Sequence, residues 1–314
     1  PAAQAMVRAM FGCDNFCTYC IVPSVRGPEQ CRPADEIVAE VRKLADEGCI
    51  EVTLLGQTVN SYADRSTGAT VRLSDLIGRI HDIDGLRRIR FVTNYPKHMT
   101  DDLLEAVRDL DKVCPYLHVP AQSGSDAVLA RMKRSYTAGF YRDMLERIRA
   151  TIPGAAITSD FIVGFCGETE ADFEQTLNLV REARFKNSFI FKYSPRTGTK
   201  AAELFADDVP EETKRRRNNE LLAAQNAASL ADNQRQLGRR VEVLVEGPSK
   251  TARKRGEDGS ERQLVGRTAC DRIVVFDGPM SLAGRIVEVD IARAEPVTLH
   301  GALWLPAQSA SAAE

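Results

Sequence analysis

Short β-branched runs alternate with amphipathic stretches from residue 6 to about residue 200. Val7–Phe11 is a compact apolar run. From Pro33 to Gly48, apolar side chains recur at Ile37, Val38, Val41, Leu44 and Ala45, the spacing of one helical face. Pro33 suits the first turn of that helix and Gly48 its C-cap. Ile50–Leu55 reads as a strand closed by Gly56, Leu73–Ile83 as a helix, and Arg88–Thr93 as a strand. Thr100 suits an N-cap over Asp101–Asp109, with acids well placed in the first turn. Lys112–Val119 reads as a strand, followed by helices over Asp126–Arg131 and Thr137–Thr151. Ala156–Phe165 and Asn187–Tyr193 read as strands on either side of a helix over Glu170–Ala183.

About six strand–helix alternations predict an α/β fold with a parallel sheet. Six units are too few for a closed eightfold barrel, so an open, partial TIM-like barrel is expected. Function in such folds gathers at the C-terminal ends of the strands. Pro210–Gln236 then reads as one long charged helix. Beyond it the texture changes to short alternating runs at Arg240–Glu246, Leu264–Arg267, Arg272–Phe276 and Gly284–Asp290. These predict a small all-β barrel. The expected organisation is an α/β core over 1–234, a β-barrel over 235–302 and a disordered tail over 303–314.

Two domains also suit a chain of 314 residues, 27% charged and 43% hydrophobic. The net charge is −2, so no global positive field announces nucleic acid. Residues 235–300 hold 12 Lys and Arg against 10 Asp and Glu, a local excess of two positive charges. No apolar run reaches membrane-spanning length, and no secretion signal opens the chain, so a cytoplasmic protein is expected. Eight cysteines in that compartment favour metal or redox chemistry over disulfides.

The strongest chemical feature is Gly12-Cys13-Asp14-Asn15-Phe16-Cys17-Thr18-Tyr19-Cys20, a C-x₃-C-x₂-C on a loop after the first strand. Three thiolates there suit an iron–sulfur cluster, which normally takes four. The missing fourth leaves one iron open for chemistry. A zinc knuckle would want a fourth Cys or His nearby, and the nearest His is His81.

That spacing, with Tyr19 just before the last Cys, resembles the radical S-adenosylmethionine superfamily. More narrowly, several stretches are similar to the tRNA methylthiotransferases. They are Gly12–Glu29, Leu54–Tyr62, Leu117–Asp126, Met132–Thr137, Asp160–Thr169 and Tyr193–Thr199. The nearest branch is the MiaB type, which methylthiolates isopentenyl-adenosine beside the anticodon, and the β module resembles the family's TRAM RNA-binding domain. The resemblance implies that Cys13, Cys17 and Cys20 hold a 4Fe–4S cluster whose open iron binds S-adenosylmethionine. It places Tyr19 near the adenine, Gly56 and Gln57 beside the methionine amino group, and Gln122 and Ser123 near polar groups or the ribose. Ile162 and Gly164, within Ile162–Gly164, would pack the adenine. The implied partners are tRNA, through its anticodon stem-loop, and an electron donor such as flavodoxin or ferredoxin. No membrane is implied, and a monomer is expected.

Family members carry a second, sulfur-donating 4Fe–4S cluster on an N-terminal domain. Only 12 residues precede Cys13, so that domain is expected to be absent here and the segment incomplete for sulfur insertion. Cys166 stands where the family usually has Pro, and Cys31 where Ser is common; both are expected to be buried substitutes near the active face, while Cys49, Cys114 and Cys270 read as core. Lys214–Arg217 and Lys250–Arg255 are candidate phosphate contacts. Their bland readings are a solvated helix face and a disordered loop. Phe276 is the main aromatic candidate in the β module, and Arg26, Arg32 and Arg134 are candidates to meet the anticodon loop. Rival functions are methylthiolation of threonylcarbamoyl-adenosine or of a ribosomal-protein aspartate, and a noncatalytic RNA-binding protein with a structural metal knuckle.

Overall fold

A computed structural model describes residues 2–66, 68–255 and 261–305. The chain forms two compact units, 1–229 and 230–314. In the first, six strands run parallel: β1 (Gln4–Arg8), β2 (Glu51–Leu55), β3 (Arg88–Phe91), β4 (Tyr116–His118), β5 (Ala156–Val163) and β6 (Asn187–Lys192). Their order follows the sequence: β1 pairs β2, β2 pairs β3, β4 pairs β5 and β5 pairs β6. A parallel bridge at Ile89 and Val113, with bonds Ile89 N to Lys112 O (2.8 Å) and Cys114 N to Ile89 O (2.9 Å), joins the two halves. Among the described residues β6 and β1 are not paired, so the barrel is open.

Each expected helix forms, with its apolar stripe turned inward. Ala34–Asp46 buries Ile37, Val38, Val41 and Ala45, and Leu73–His81 buries Leu76, Ile77 and Ile80. These side chains join those of Val52, Leu54, Ile89 and Leu117 in one continuous core. The first helix is capped from outside its own sequence: Ala34 N donates to Asp64 Oδ2 at 2.7 Å. Thr100 gives no side-chain cap to Asp101–Asp109, whereas Thr137 and Thr169 cap the helices that follow them. The strand expected over Lys112–Val119 shrinks to three residues, because residues 112–114 touch the sheet only through the bridge.

The second unit holds a closed barrel of five strands: β7 (Arg240–Pro248), β8 (Glu261–Arg267), β9 (Ile273–Pro279), β10 (Ile286–Ala294) and β11 (Thr298–Leu303). β11 closes it by pairing parallel with β9 and antiparallel with β10. The disordered tail assigned to 303–314 therefore begins too early. Leu303 pairs with Val289, and Trp304 N donates to Glu288 O at 2.9 Å. The polar composition beyond Pro306 masked the strand before it; residues 306–314 themselves lie outside the described residues. Phe276, the main aromatic candidate of the module, is 2% exposed and packed with Val243, Leu264, Val289 and Leu299, so its ring belongs to the barrel's own core.

Candidate functional site

The cysteine loop leaves β1 and is clamped at both ends. Cys13 N donates to Gly27 O (3.2 Å), and Gly12 adopts φ 76°. A Cβ on Gly12 would lie 1.9 Å from Pro28 O, so only glycine fits this crossing. In the middle of the loop, Thr18 N donates to Met132 O (3.1 Å) and Thr18 Oγ1 to Arg131 O (2.8 Å). These bonds tie the loop to the end of helix Asp126–Arg131. Ala201 N donates to Thr18 O (2.7 Å) from the other side.

Cys13 and Cys17 are buried and Cys20 is half-buried; all eight cysteines are free. Asn15 N donates to Cys13 Sγ at 3.4 Å, and Arg134 Nη1 donates to Cys17 Sγ at 3.4 Å. Burial pushes the Cys13 and Cys20 thiols up. A bound metal's charge would reverse that preference and hold them as thiolates. Among the described residues no three His, Cys, Asp or Glu side chains are grouped to hold a single metal ion. The three cysteines share one loop, and two of their sulfurs already accept N–H donors, a feature that tunes iron–sulfur centres. Three cysteine sulfurs on one loop are a donor set that fits an iron–sulfur cluster.

A cavity of about 300 Å³ opens beside Cys20, within the usual range for small-molecule sites. Tyr19 and Cys20 form one wall; Gln122, Asp160 and Ile162 another; Phe191, Lys192, Tyr193, Ser194 and Arg196 complete it. Gln122 sits at φ 72°, its N–H bonded to Asp160 O (2.8 Å) and its O to Ile162 N (2.9 Å), which fixes the end of β4 against β5. Asp160 is oriented by His118, whose Nε2 lies 3.4 Å from Oδ1 and whose Nδ1 lies 2.9 Å from Thr158 Oγ1. Burial drives the Tyr19 phenol well up, so it stays protonated.

Of the candidate cofactor residues, the cavity gathers Tyr19, Gln122 and Ile162, beside Cys20. It does not take in the others. Gly56 is buried after β2 where a Cβ would lie 2.5 Å from Met10 Cγ, and Gln57 follows it, half-buried. Ser123 is 2% exposed and turned inward; its hydroxyl lies 3.1 Å from Thr176 Oγ1 and accepts from Ser125 N. The hydroxyl expected to reach a ligand is thus spent on holding the loop. Gly164, at φ 69°, leaves room for Lys214, whose Cγ would be 2.3 Å from a Cβ there, and donates its N–H to Glu168 Oε2 (2.6 Å). Asp160 and Arg196 join the site without having been expected there. Both lie in stretches that resemble the family, and strand alternation from Ile162 puts Asp160 and Thr158 on the same face.

The basic run Lys214–Arg217 is not a free patch. Lys214 and Arg217 are buried, the first against Asp207 and Tyr193 O, the second against Glu168 at 2.8 Å; Arg216 pairs with Glu170 and Glu220. Lys214 and Arg217 thus form an ion-paired seam, while Arg215 and Arg216 stay exposed. Lys250–Arg255 forms a short helix, not a disordered loop, with Lys250, Arg253 and Lys254 exposed. Arg32 is paired with Glu40 (2.7 Å) and Arg8 O, and Arg134 bonds Cys17; Arg26 is exposed. Cys166 is buried among Phe165, Tyr193 and Ala201, and Cys49 and Cys114 are buried too. Cys270 departs from the core expectation because it sits half-exposed in the turn before β9.

Residues 7–180 match the Radical SAM superfamily and residues 234–303 the TRAM domain. The chain is 59% identical over 298 residues to a tRNA-2-methylthio-N(6)-dimethylallyladenosine synthase of Rhodopirellula baltica, covering 95% of this chain and 62% of that one. It is 48% identical over 303 residues to the protein of the same name from Carboxydothermus hydrogenoformans, covering 96% and 67%. The chain thus spans about two thirds of the length of these relatives. The first unit's fold is shared with coproporphyrinogen III oxidase from Escherichia coli (TM-score 0.51, 18% identity, 73% and 52% coverage). It is also shared with the methyltransferase TsrM from Kitasatospora setae (0.53, 16%, 64% and 39%).

Proposed function

Because this chain belongs to the radical SAM superfamily, we propose that it is the radical core of an enzyme that puts a methylthio group on isopentenyl-adenosine beside the tRNA anticodon. One observation carries the reading. The Cys13–Cys20 loop stands at the C-terminal mouth of an open parallel barrel, with a cavity of about 300 Å³ beginning at Cys20 itself. The names of the relatives support the choice of nucleoside, and the TRAM match supports an RNA partner.

Cys13, Cys17 and Cys20 are the residues to hold a 4Fe–4S cluster. When bound with S-adenosylmethionine, that cluster supplies the electron that frees a 5′-deoxyadenosyl radical able to take an unactivated hydrogen. The protein supplies position and electrostatics. Tyr19 and Ile162 offer the apolar walls an adenine needs, Asp160 an acceptor for ribose hydroxyls, and Gln122 an amide that can serve either end. Of the two cations on the cavity wall, Lys192 is paired with Glu211, which leaves Arg196 as the one suited to a carboxylate. Gly56 and Gln57 flank the methionine amino group from the end of β2 in this reading, and Gly164 shapes the backbone beside Ile162. The second 4Fe–4S cluster, as sulfur donor, is assigned to a part of the enzyme beyond the residues present here.

The barrel of β7 to β11 is the tRNA-binding module, and the exposed cations Lys250, Arg253 and Lys254 are its phosphate contacts. The electron donor is a flavodoxin or ferredoxin, the enzyme acts as a monomer, and its compartment is the cytoplasm. Among the described residues no helix is long and apolar enough to cross a membrane. Iron and acid-labile sulfide after anaerobic reconstitution test the cofactor: about four of each per chain is expected. Mass spectrometry of tRNA nucleosides made by the full-length enzyme tests the substrate. Failure on isopentenylated tRNA with turnover on threonylcarbamoyl-adenosine would overturn the choice of nucleoside.

A further inference from the structure

Arg134 is a half-buried cation without a carboxylate partner. Its guanidinium lies between two phenol rings, with Cζ 4.8 Å from the Tyr95 centroid and 4.9 Å from that of Tyr136. Nε donates to Tyr136 OH (2.7 Å), Nη2 to Pro120 O (3.2 Å) and Nη1 to Cys17 Sγ (3.4 Å). Among the described residues no acid pairs with it, although Arg32, Arg131, Arg142, Arg216 and Arg217 each have one. A charge partly shielded from water is favoured by an opposite charge close by. Only Cys17, as thiolate, can bring one among the groups that Arg134 touches; the others are two tyrosines and a backbone carbonyl.

The backbone makes this placement unavoidable. Lys133 ends its helix at φ 56°, with Lys133 N bonded to Ala130 O (2.9 Å) and Arg134 N to Leu129 O (2.8 Å). That left-handed residue turns the chain back over the cysteine loop, which the same helix end grips through Thr18. The next residue locks the arrangement: Ser135 Oγ and Tyr95 OH lie 2.7 Å apart. The guanidinium cannot swing to solvent without breaking three hydrogen bonds and leaving two aromatic faces.

We propose that Arg134 is a positioning residue that supplies fixed positive charge to the Cys17 thiolate and thereby makes the cluster easier to reduce. The inference rests on the radical reading above and deepens it. A positive charge and an N–H donor at a ligand sulfur stabilise the more negative, reduced form of an iron–sulfur centre. An enzyme whose cluster must deliver an electron to a bound sulfonium needs that form to be populated by a biological donor. The caged guanidinium would supply this bias before substrate arrives.

The test uses the full chain reconstituted anaerobically, with Arg134→Gln and Arg134→Lys beside the wild type. The readouts are iron per chain and the ratio of reduced to oxidised cluster, by electron paramagnetic resonance at fixed dithionite–mediator potential. Gln keeps an N–H donor without the charge, whereas Lys keeps the charge without the fork. The expected result is a reduced-to-oxidised ratio at least tenfold lower in Arg134→Gln, a shift of about 59 mV for a one-electron couple. Arg134→Lys should stay within about threefold of wild type. If Gln fails to hold iron while Lys loads normally, the reduced-to-oxidised ratio of Arg134→Lys decides: within about threefold of wild type supports the charge, and a tenfold fall overturns the proposal. Equal ratios in all three proteins overturn it. So does loss of iron from both variants with helical content intact, since Lys retains the charge. A wild-type chain that takes up no iron overturns the cluster reading itself, together with this inference.

Discussion

Arg217→Met tests the buried ion pair that shapes the end of β5. Arg217 is 4% exposed, and its Nη1 donates to Glu168 Oε2 (2.8 Å) and to Glu168 O (3.0 Å). The Glu168 side chain is wholly buried, and its Oε2 also accepts from Gly164 N. Methionine matches the arginine stem in bulk but leaves the carboxylate with the glycine N–H alone. Removing one partner of a buried pair costs about 3–5 kcal/mol. With a urea slope of about 2–3 kcal/mol/M, the unfolding midpoint should fall by about 1–2 M. The assay is far-UV circular dichroism in urea, since the first unit carries nearly all the helix. Burial already pushes the Glu168 carboxyl up, and losing Arg217 pushes it further. A carboxyl with a raised folded pKa binds its proton more tightly when folded. Its stabilisation is therefore complete below the unfolded value and lost as pH rises through the folded one. Arg217→Met should thus recover stability on going from pH 7.5 to 5.5, relative to wild type. Arg217→Met with Glu168→Gln should be more stable than Arg217→Met alone. A single-variant loss below about 1 kcal/mol, or a double loss equal to the sum of the singles, would refute the argument.

Cys17→Ala should abolish iron binding and S-adenosylmethionine cleavage together; cleavage that survives would contradict the cluster assignment. Gly12→Ala forces a Cβ into Pro28 O, so iron per chain should fall severalfold and the melting temperature should drop, both read on the purified chain. Changing Lys250, Arg253 and Lys254 together to Ala should weaken tRNA binding and flatten the slope of log affinity against log salt by about 2–3, at roughly 0.7–0.9 for each phosphate no longer neutralised. An unchanged slope would remove these cations from the interface. The bond from Ala34 N holds the Asp64 carboxyl below its usual range. Its contribution is present at neutral pH, above the unfolded value of about 3.9, and is lost as pH falls through the folded value. Asp64→Asn should lower the melting temperature at pH 7 and narrow the gap to wild type near pH 3.

Local physics made much of this protein legible from its sequence. The stripe Ile37, Val38, Val41 and Ala45 can be buried only as a helix, and Glu51–Leu55 only as a strand, because period and β-branching act within a few residues. Repetition of that unit six times then implied a parallel sheet. The cysteine spacing was equally local, so three candidate ligands could be named before any contact was known. The features that stayed hidden depend on partners far along the chain. Thr298–Leu303 became a strand because β9 and β10 offered open edges on which to close a barrel, and no local signal carries that information. The run Lys214–Arg217 resembles a nucleic-acid patch in one dimension, yet Glu168, Glu170 and Asp207 claim three of its four charges from across the fold. Ser123 has the chemistry of a ligand contact but serves Thr176, 53 residues away. Arg134 shows the division most clearly. Its charge was written in the sequence, but only the convergence of Cys17, Tyr95, Pro120 and Tyr136 decided where that charge points. Short-range periodicity is set by backbone geometry, whereas the environment of a charge is the sum of whatever the whole chain brings within a few ångströms.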